Sequence, residues 1–154
     1  IKEYKLNQSS KILDIGSGKG FLAYELQKIL KNKNILCCDV SKYAIKNSKK
    51  ELYNKVFYHD IKKKFKYKNN HFDLVLSINV LHNLKLENLE KSLKEIDRLS
   101  NNKFICVESY KNDKQQFNLQ CWALTAETII DTKSWKWIFK KSNYSGDFEF
   151  IYFD

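Results

Sequence analysis

Apolar and polar residues alternate along this chain in two patterns: short apolar runs, and longer stretches in which apolar residues recur at the spacing of a helix. Short apolar runs, which predict strands, occupy residues 12–15, 34–40, 55–61, 72–78 and 103–108, and a last one follows Gly146. Runs that are apolar throughout are typical of parallel strands, because helices cover both faces of a parallel sheet. The pattern therefore predicts an α/β fold, with a doubly wound, mostly parallel sheet of about six strands and helices on both faces.

Between these runs, apolar residues recur at the spacing of a helix. The first such stretch covers residues 21–30, and its predicted apolar face consists of Leu22, Leu26, Ile29 and Leu30. Ser41 is a suitable N-cap for a second helix through Leu52. Further helices are predicted at residues 86–99, at residues 117–130, and from Thr132 or Ser134 onward.

Three of the four glycines lie in one segment, Gly16-Ser17-Gly18-Lys19-Gly20, directly after the first predicted strand. Glycine permits positive φ angles and a close approach of the backbone to a ligand. A strand, a glycine loop and a helix N-terminus together predict a nucleotide-type binding turn. Phe21 stands where the dinucleotide pattern needs its third glycine, and Gly20 follows Lys19 where a phosphate-binding loop needs Ser or Thr.

An aspartate, Asp14, stands two residues before the first glycine and gives the pattern Asp-x-Gly-x-Gly-x-Gly. A carboxylate here repels a pyrophosphate and suits a ligand that carries an ammonium group. In this pattern the sequence resembles the class I S-adenosylmethionine-dependent methyltransferases. The resemblance covers residues 10–110. It implies a Rossmann-like fold, S-adenosylmethionine as cofactor and S-adenosylhomocysteine as product, and it indicates that the seventh strand of the family is missing.

The resemblance also assigns cofactor contacts to residues near the ends of the first four strands. It implies that Asp14 contacts the methionine end, that Asp39 accepts hydrogen bonds from the ribose hydroxyls, and that Asp60 reaches the adenine amino group. Ile61 then packs on the adenine ring, although Asp60 taken alone also fits a simple turn. The predicted cofactor-binding residues are Asp14, Gly16, Ser17, Gly18, Gly20, Asp39, Val40, Asp60, Ile61, Asn79 and Val80.

The segment after the fourth strand, Asn79-Val80-Leu81-His82-Asn83-Leu84, bears on the methyl acceptor. Enzymes that methylate exocyclic amines of bases carry a proline pair here, and this chain has no proline. Enzymes that methylate C5 of pyrimidines carry a nucleophilic cysteine here, and none is present. The segment resembles that of small-molecule methyltransferases, which predicts transfer to an oxygen, nitrogen or carbon of a small molecule.

Two residues at this edge of the sheet are candidates for catalysis. His82 is a candidate general base, since an ordinary histidine pKa lies near 6.5; a packing or cofactor-site role is the alternative. Glu108 ends the fifth strand, where it either orients or deprotonates the acceptor or caps the next element. The predicted substrate-binding residues are Tyr110, Asn118 and Trp122.

The net charge of +10 raises the possibility of a nucleic-acid partner. The lysines are interleaved with asparagines along the whole chain, which favours a composition bias instead. The densest run, Lys62-Lys63-Lys64, falls in a predicted surface loop. Two other functions therefore stand beside the first: an RNA-modifying methyltransferase, and a non-catalytic relative that binds the cofactor as a sensor or partner subunit.

The remaining expectations come from length and composition. The 154 residues predict a single domain, 1–154, acting as a monomer or homodimer. The chain opens on Ile1 and contains no methionine, so we expect that an N-terminal segment is absent from it. Cys37, Cys38, Cys106 and Cys121 lack metal-ligand spacing, which predicts no metal and a reduced, cytoplasmic protein. No apolar run is long enough to span a membrane.

Overall fold

The computed structural model describes residues 2–154; Ile1, on which the N-terminal expectation rests, lies outside the described residues. The strands are β1 (Ile12–Ile15), β2 (Ile35–Asp39), β3 (Val56–Tyr58), β4 (Leu74–Ile78), β5 (Lys103–Glu108) and β6 (Asp147–Ile151). The α-helices are α1 (Phe21–Leu30), α2 (Lys42–Lys46), α3 (Leu86–Leu99), α4 (Asp113–Trp122) and α5 (Thr132–Lys141). Short 3-10 turns cover Lys50–Leu52 and Leu81–Asn83.

The six strands form one sheet in the order β3-β2-β1-β4-β5-β6, and every neighbouring pair is parallel. The chain starts at β1 in the middle, runs outward to β3, and returns to the other half through β4. The carboxyl ends of β1 and β4 are therefore adjacent at the point where the strand order reverses, which is where ligands bind in open α/β sheets. The predicted α/β Rossmann-like fold is confirmed.

Alternate residues of the strands point to opposite faces of the sheet and belong to two separate hydrophobic cores. Leu13 and Ile15 of β1 pack on one face with α3 and α5, whereas Ile12 packs on the other face with Ala23 of α1. All of these side chains are buried. Because helices lie on both faces, the central strands need apolar side chains in both directions, which explains why these runs are mostly apolar.

Several element boundaries differ from those predicted. In α1, Leu26 and Leu30 of the predicted apolar face pack against the core together with the buried Ala23. Leu22 and Ile29 were wrongly assigned to that face, since they are 40% and 65% exposed. The second helix is capped by Ser41 as predicted but ends at Lys46.

The helix predicted at residues 117–130 instead spans Asp113–Trp122. Asn112 starts it early, since its side chain accepts a hydrogen bond from the backbone N–H of Gln115 at 3.0 Å. Beyond the helix, the N–H groups of Glu127 and Thr128 donate to the carbonyl of His82 at 2.9 and 3.0 Å. These tertiary contacts replace the helical hydrogen bonds of residues 123–130.

The four cysteines form no disulfide within residues 2–154, and Cys37 and Cys38 are buried in β2. In the same part of the chain, no helix has the length and apolar character needed to cross a membrane.

Trp135 is the largest fully buried side chain, and we expect Trp135→Ala to lower the free energy of unfolding by about 3–5 kcal/mol. The substitution leaves a cavity beside Phe139, whose ring centroid lies 5.8 Å away, and removes a hydrogen bond from Nε1 to the carbonyl of Glu108. Trp137, two residues on, is 61% exposed, so Trp137→Ala should change stability by less than about 0.5 kcal/mol. Urea unfolding of both variants measures this, and equal losses would contradict the assignment of Trp135 to the core.

Candidate cofactor and acceptor site

The glycine loop connects β1 to α1 in a backbone conformation that few other residues adopt. Gly16 has φ +70° and Gly18 has φ +55°, both in the left-handed region. A Cβ on Gly16 would overlap with the side chain of Val80, whereas a Cβ on Gly18 would meet no atom within 4 Å. Gly16 is thus required by packing, and Gly18 faces open space at the mouth of the loop.

Asp39 ties this loop to the end of β2. Its Oδ2 accepts a hydrogen bond from the N–H of Gly18 at 2.8 Å, and its Oδ1 accepts one from the N–H of Ser41 at 2.8 Å. A carboxylate has about four lone-pair sites. Roughly two of them therefore remain available to a ligand after both backbone bonds are made.

A cavity of about 390 Å³ opens at the carboxyl ends of β1, β2 and β4. Seven of the predicted cofactor residues line it: Gly16, Asp39, Val40, Asp60, Ile61, Asn79 and Val80. The other predicted cofactor residues, Asp14, Ser17, Gly18 and Gly20, do not line this cavity. Residues that the sequence did not point to also line it, namely Ile15, Tyr58, His59, Lys62, Asn83 and Leu84. Each of these residues lies close in sequence to a predicted one, and this proximity is the only feature of the sequence that could have identified them.

Asp60 lines the cavity from the segment after β3, which is separated from β1 by one strand in the sheet. Its Oδ1 accepts a hydrogen bond from the N–H of Lys62 at 3.0 Å, and its Oδ2 lies 3.5 Å from the Lys62 ammonium. Both interpretations made from the sequence fit this geometry, since Asp60 closes a turn and also borders the cavity.

Asn79 follows β4 in a strained conformation, with φ +56°. Its N–H donates to the carbonyl of Cys106 at 2.9 Å, while its Oδ1 is buried and has no hydrogen-bond partner among residues 2–154. Asn79 also lines the cavity. A buried acceptor without a partner carries a desolvation cost that a donor on a bound ligand relieves.

Asp14 is only 3% exposed within β1. Burial raises its pKa to about 7, and the negative charge of Asp39 adds to this effect. Such a carboxyl group binds its proton more tightly in the folded chain than in the unfolded chain. The contribution of Asp14 to the free energy of folding is therefore most favourable below its ordinary pKa of 3.8. This favourable contribution is lost as the pH rises through about 7.

Asp14→Asn should accordingly stabilise the unliganded protein at pH 8, by up to about 4 kcal/mol, because the amide carries no charge to bury. The gain should disappear toward pH 4, where the Asp14 carboxyl group is protonated in the folded protein. Urea unfolding at pH 5 and pH 8 measures the difference. Asp113→Asn, on the exposed first turn of α4, controls for the loss of one negative charge. A gain of equal size at both pH values would contradict this account of Asp14.

His82 and Glu108 form a buried pair beyond the end of β4 and β5. Nδ1 of His82 lies 2.5 Å from Oε2 of Glu108, and the two residues are 6% and 2% exposed. Nδ1 of His82 and both carboxylate oxygens of Glu108 lack a hydrogen bond of standard geometry within the described residues, so the pair is a close side-chain contact. The structure thus brings together the two side chains predicted for catalysis, with Glu108 in a position to fix the orientation of the imidazole ring.

Of the predicted substrate residues, Trp122 contacts His82 of this pair, and none of the three lines the cavity. The ring of Trp122 meets that of His82 edge-on at a centroid distance of 6.0 Å and lies 4.8 Å from the ring of Phe153. Asn118 donates its amide hydrogen to the carbonyl of Phe153 at 3.1 Å. Tyr110 is only partly exposed and accepts the N–H of Thr132 with its carbonyl.

No group of three or more His, Cys, Asp or Glu side chains within residues 2–154 is arranged to hold a metal ion. No curated protein sequence is significantly similar to this chain.

Solved structures share the fold. The YcgJ protein of Bacillus subtilis superposes with a TM-score of 0.72 at 14% identity, over 92% of this chain and 64% of its own. A SAM-dependent methyltransferase of Archaeoglobus fulgidus superposes with a TM-score of 0.68 at 20% identity, over 87% of this chain and 60% of its own. A third similar chain, with a TM-score of 0.72 at 15% identity over 92% of this chain and 66% of its own, comes from a complex that contains the Trm112 methyltransferase activator of Haloferax volcanii. The present chain thus spans slightly less than two thirds of these proteins.

The sequence itself matches a protein family described as a methyltransferase domain over residues 6–143. With the strand order and the glycine loop, this match establishes that the chain belongs to the class I methyltransferase domain family.

Proposed function

We propose that this chain is an S-adenosylmethionine-dependent methyltransferase that transfers the methyl group to an oxygen, nitrogen or carbon of a small molecule. The observation that carries the proposal is the cavity beside the glycine loop, where the carboxyl ends of the central strands meet. Its volume of about 390 Å³ lies in the range of small-ligand sites. The residues around it suit an adenosyl amino acid.

Asp39 holds the ribose in this proposal. It stands at the end of β2 with free lone pairs after bonding Gly18 and Ser41, so the ribose hydroxyls have an acceptor that is already fixed in place. On the segment after β3, Asp60 accepts from the adenine amino group, and the apolar side chains of Ile61, Val40 and Val80 flank the ring.

Asp14, Ser17, Gly18 and Gly20 belong to the methionine end. The open space at Gly18 leaves room for a ligand close to the backbone. An ammonium group near Asp14 would favour its charged form and offset the cost of burying it. Asn79 offers its unpaired Oδ1 to a donor on the same ligand.

The bound cofactor supplies a methyl group on a positively charged sulfur, open to in-line displacement. The protein aligns the acceptor with the methyl group, and such alignment lowers the activation free energy by up to about 7–11 kcal/mol. His82 takes the proton of the acceptor, and Glu108 is a positioning residue that holds the imidazole from the opposite nitrogen. Tyr110, Asn118 and Trp122 border the acceptor. No metal takes part, and we place the enzyme in the cytoplasm as a monomer or homodimer.

A labelling experiment tests the acceptor class. The protein is incubated with methyl-labelled S-adenosylmethionine and a cell extract divided into small-molecule, RNA and protein fractions. The proposal predicts label in the small-molecule fraction, and less of it with the His82→Gln variant. Label confined to RNA or protein would contradict a small-molecule acceptor while leaving cofactor binding intact.

A further inference from the structure

A second cavity, of about 560 Å³, lies outside the candidate site, between α3 and the segment that follows β3. Its lining is charged almost throughout and consists of Ile61, Lys62, Lys63, Lys64, Glu87, Glu90, Lys91, Lys94, Glu95 and Arg98. We call it the lysine groove. The groove adjoins the cofactor cavity, since Ile61 and Lys62 line both.

The lysine run at one wall of the groove has a fixed backbone. Ile61 and Phe65, on either side of the run, are 5% and 3% exposed and anchor it in the core. His59 Nε2 lies 3.1 Å from the carbonyl oxygen of Lys63, and the N–H of Phe65 donates to Glu95 on α3 at 2.7 Å. The backbone of the lysine run is thus fixed before any ligand arrives, which lowers the entropic cost of binding.

The acidic residues of the groove are mostly neutralised by neighbours. Glu95 lies 2.6 Å from Arg98, and Glu90 lies 2.6 Å from Lys94. Among the residues that the structure describes, Lys63, Lys64 and Lys91 make no ion pair, and all three are exposed. They face the groove from both walls. Glu87 is the only groove carboxylate in the described chain without such a partner.

The groove favours one class of anion. It offers no exposed apolar side chain that would enter a lipid surface, since Ile61 is buried. A row of cations in a concave surface matches the regular charge of a phosphate backbone. None of the candidate acceptor residues lines the groove, so it is a docking surface and not the place of methyl transfer. We propose that the lysine groove binds the phosphate backbone of a single-stranded nucleic acid.

Fluorescence anisotropy with a labelled 16-nucleotide oligouridine tests this proposal, with salt varied between 50 and 200 mM. The test variant is Lys63→Gln/Lys64→Gln, which spares Lys62 because that residue also lines the cofactor cavity. Two lost phosphate contacts should weaken binding roughly tenfold at 100 mM salt and flatten the slope of log Kd against log salt by about 1.4. Affinity for S-adenosylhomocysteine should remain unchanged in the variant, so this test is separate from that of the proposed function.

Lys31→Gln/Lys33→Gln is the matched control, because it removes the same charge from exposed positions between α1 and β2. It should change Kd by less than about twofold. Equal weakening by the two double variants would overturn the proposal, since binding would then reflect net charge alone. Absence of binding by the wild-type protein at 50 mM salt would also overturn it. A third outcome would overturn it as well. In that outcome, the groove variant no longer binds vesicles of anionic phospholipid but still binds the oligonucleotide as the wild type does.

Discussion

Asp39→Ala should weaken the binding of S-adenosylhomocysteine by at least about 100-fold. The variant removes the acceptor that we assign to both ribose hydroxyls, and hydrogen bonds to a charged group contribute about 1.5–3 kcal/mol each. Each 1.4 kcal/mol corresponds to a tenfold change in Kd, so the loss of two such bonds weakens binding by at least about 100-fold. Isothermal titration calorimetry measures the loss directly.

Asp39→Ala also removes two hydrogen bonds to backbone N–H groups, from Gly18 and Ser41, and so lowers stability. Asp131→Ala is a matched control for this effect. Asp131 likewise accepts two backbone N–H bonds, from Lys133 at 2.7 Å and Ser134 at 3.0 Å, but it caps α5 and does not line the cavity. We expect similar destabilisation of the two variants and a loss of cofactor affinity only for Asp39→Ala. Equal affinity of the two variants for S-adenosylhomocysteine would show that Asp39 does not contact the cofactor.

His82→Gln should lower kcat for methyl transfer by about 10²–10⁴-fold, which is the usual contribution of a positioned general base. Glutamine keeps an amide N–H for Glu108, so the buried carboxylate is not left without a neighbour. The affinity for the cofactor should stay within about twofold of wild type, because His82 does not line the cofactor cavity. The rate is measured as S-adenosylhomocysteine formed with the acceptor found by labelling.

Glu108→Gln distinguishes positioning from a purely structural role. If Glu108 orients His82, its variant should lower kcat with little change in KM, and Glu108→Asp should restore part of the rate. A variant that loses stability but retains full kcat would show that the pair serves packing. An unchanged kcat in His82→Gln would exclude proton transfer by His82.

The sheet could be predicted from the sequence because its physical requirements are local. Strands such as β1 and β4 are buried on both faces and are therefore mostly apolar, with Asp14 and Ser77 as their polar exceptions. Their order could then follow from the glycine loop, which marks the first crossover of a nucleotide-binding sheet. The pairing of His82 with Glu108 was not predicted, because the register of β4 and β5 brings together residues that are far apart in the chain.

The errors arose where long-range contacts outweigh local periodicity. The apolar spacing after Trp122 is helical, yet Thr128 donates its hydroxyl to the carbonyl of Leu84 at 2.6 Å and the chain leaves the helix. The prediction that the lysine run lies in a surface loop is confirmed, since residues 62–64 are exposed and outside the helices and strands. The fixed position of the run opposite α3 depends on the burial of Phe65 and on Glu95, which lie on separate segments of the chain.

The central claim is that the glycine loop and its two aspartates hold an adenosyl amino acid. Calorimetric titration of the wild-type protein with S-adenosylhomocysteine, and with NAD for comparison, tests it most directly. Gly18→Val serves as the loop variant, since its Cβ meets no atom of the described residues within 4 Å and the substitution adds only about 1–2 kcal/mol of backbone strain. We predict one-to-one micromolar binding of S-adenosylhomocysteine, no binding of NAD, and loss of binding in Gly18→Val. Equal affinity for NAD, or unchanged affinity in the variant, would contradict the claim.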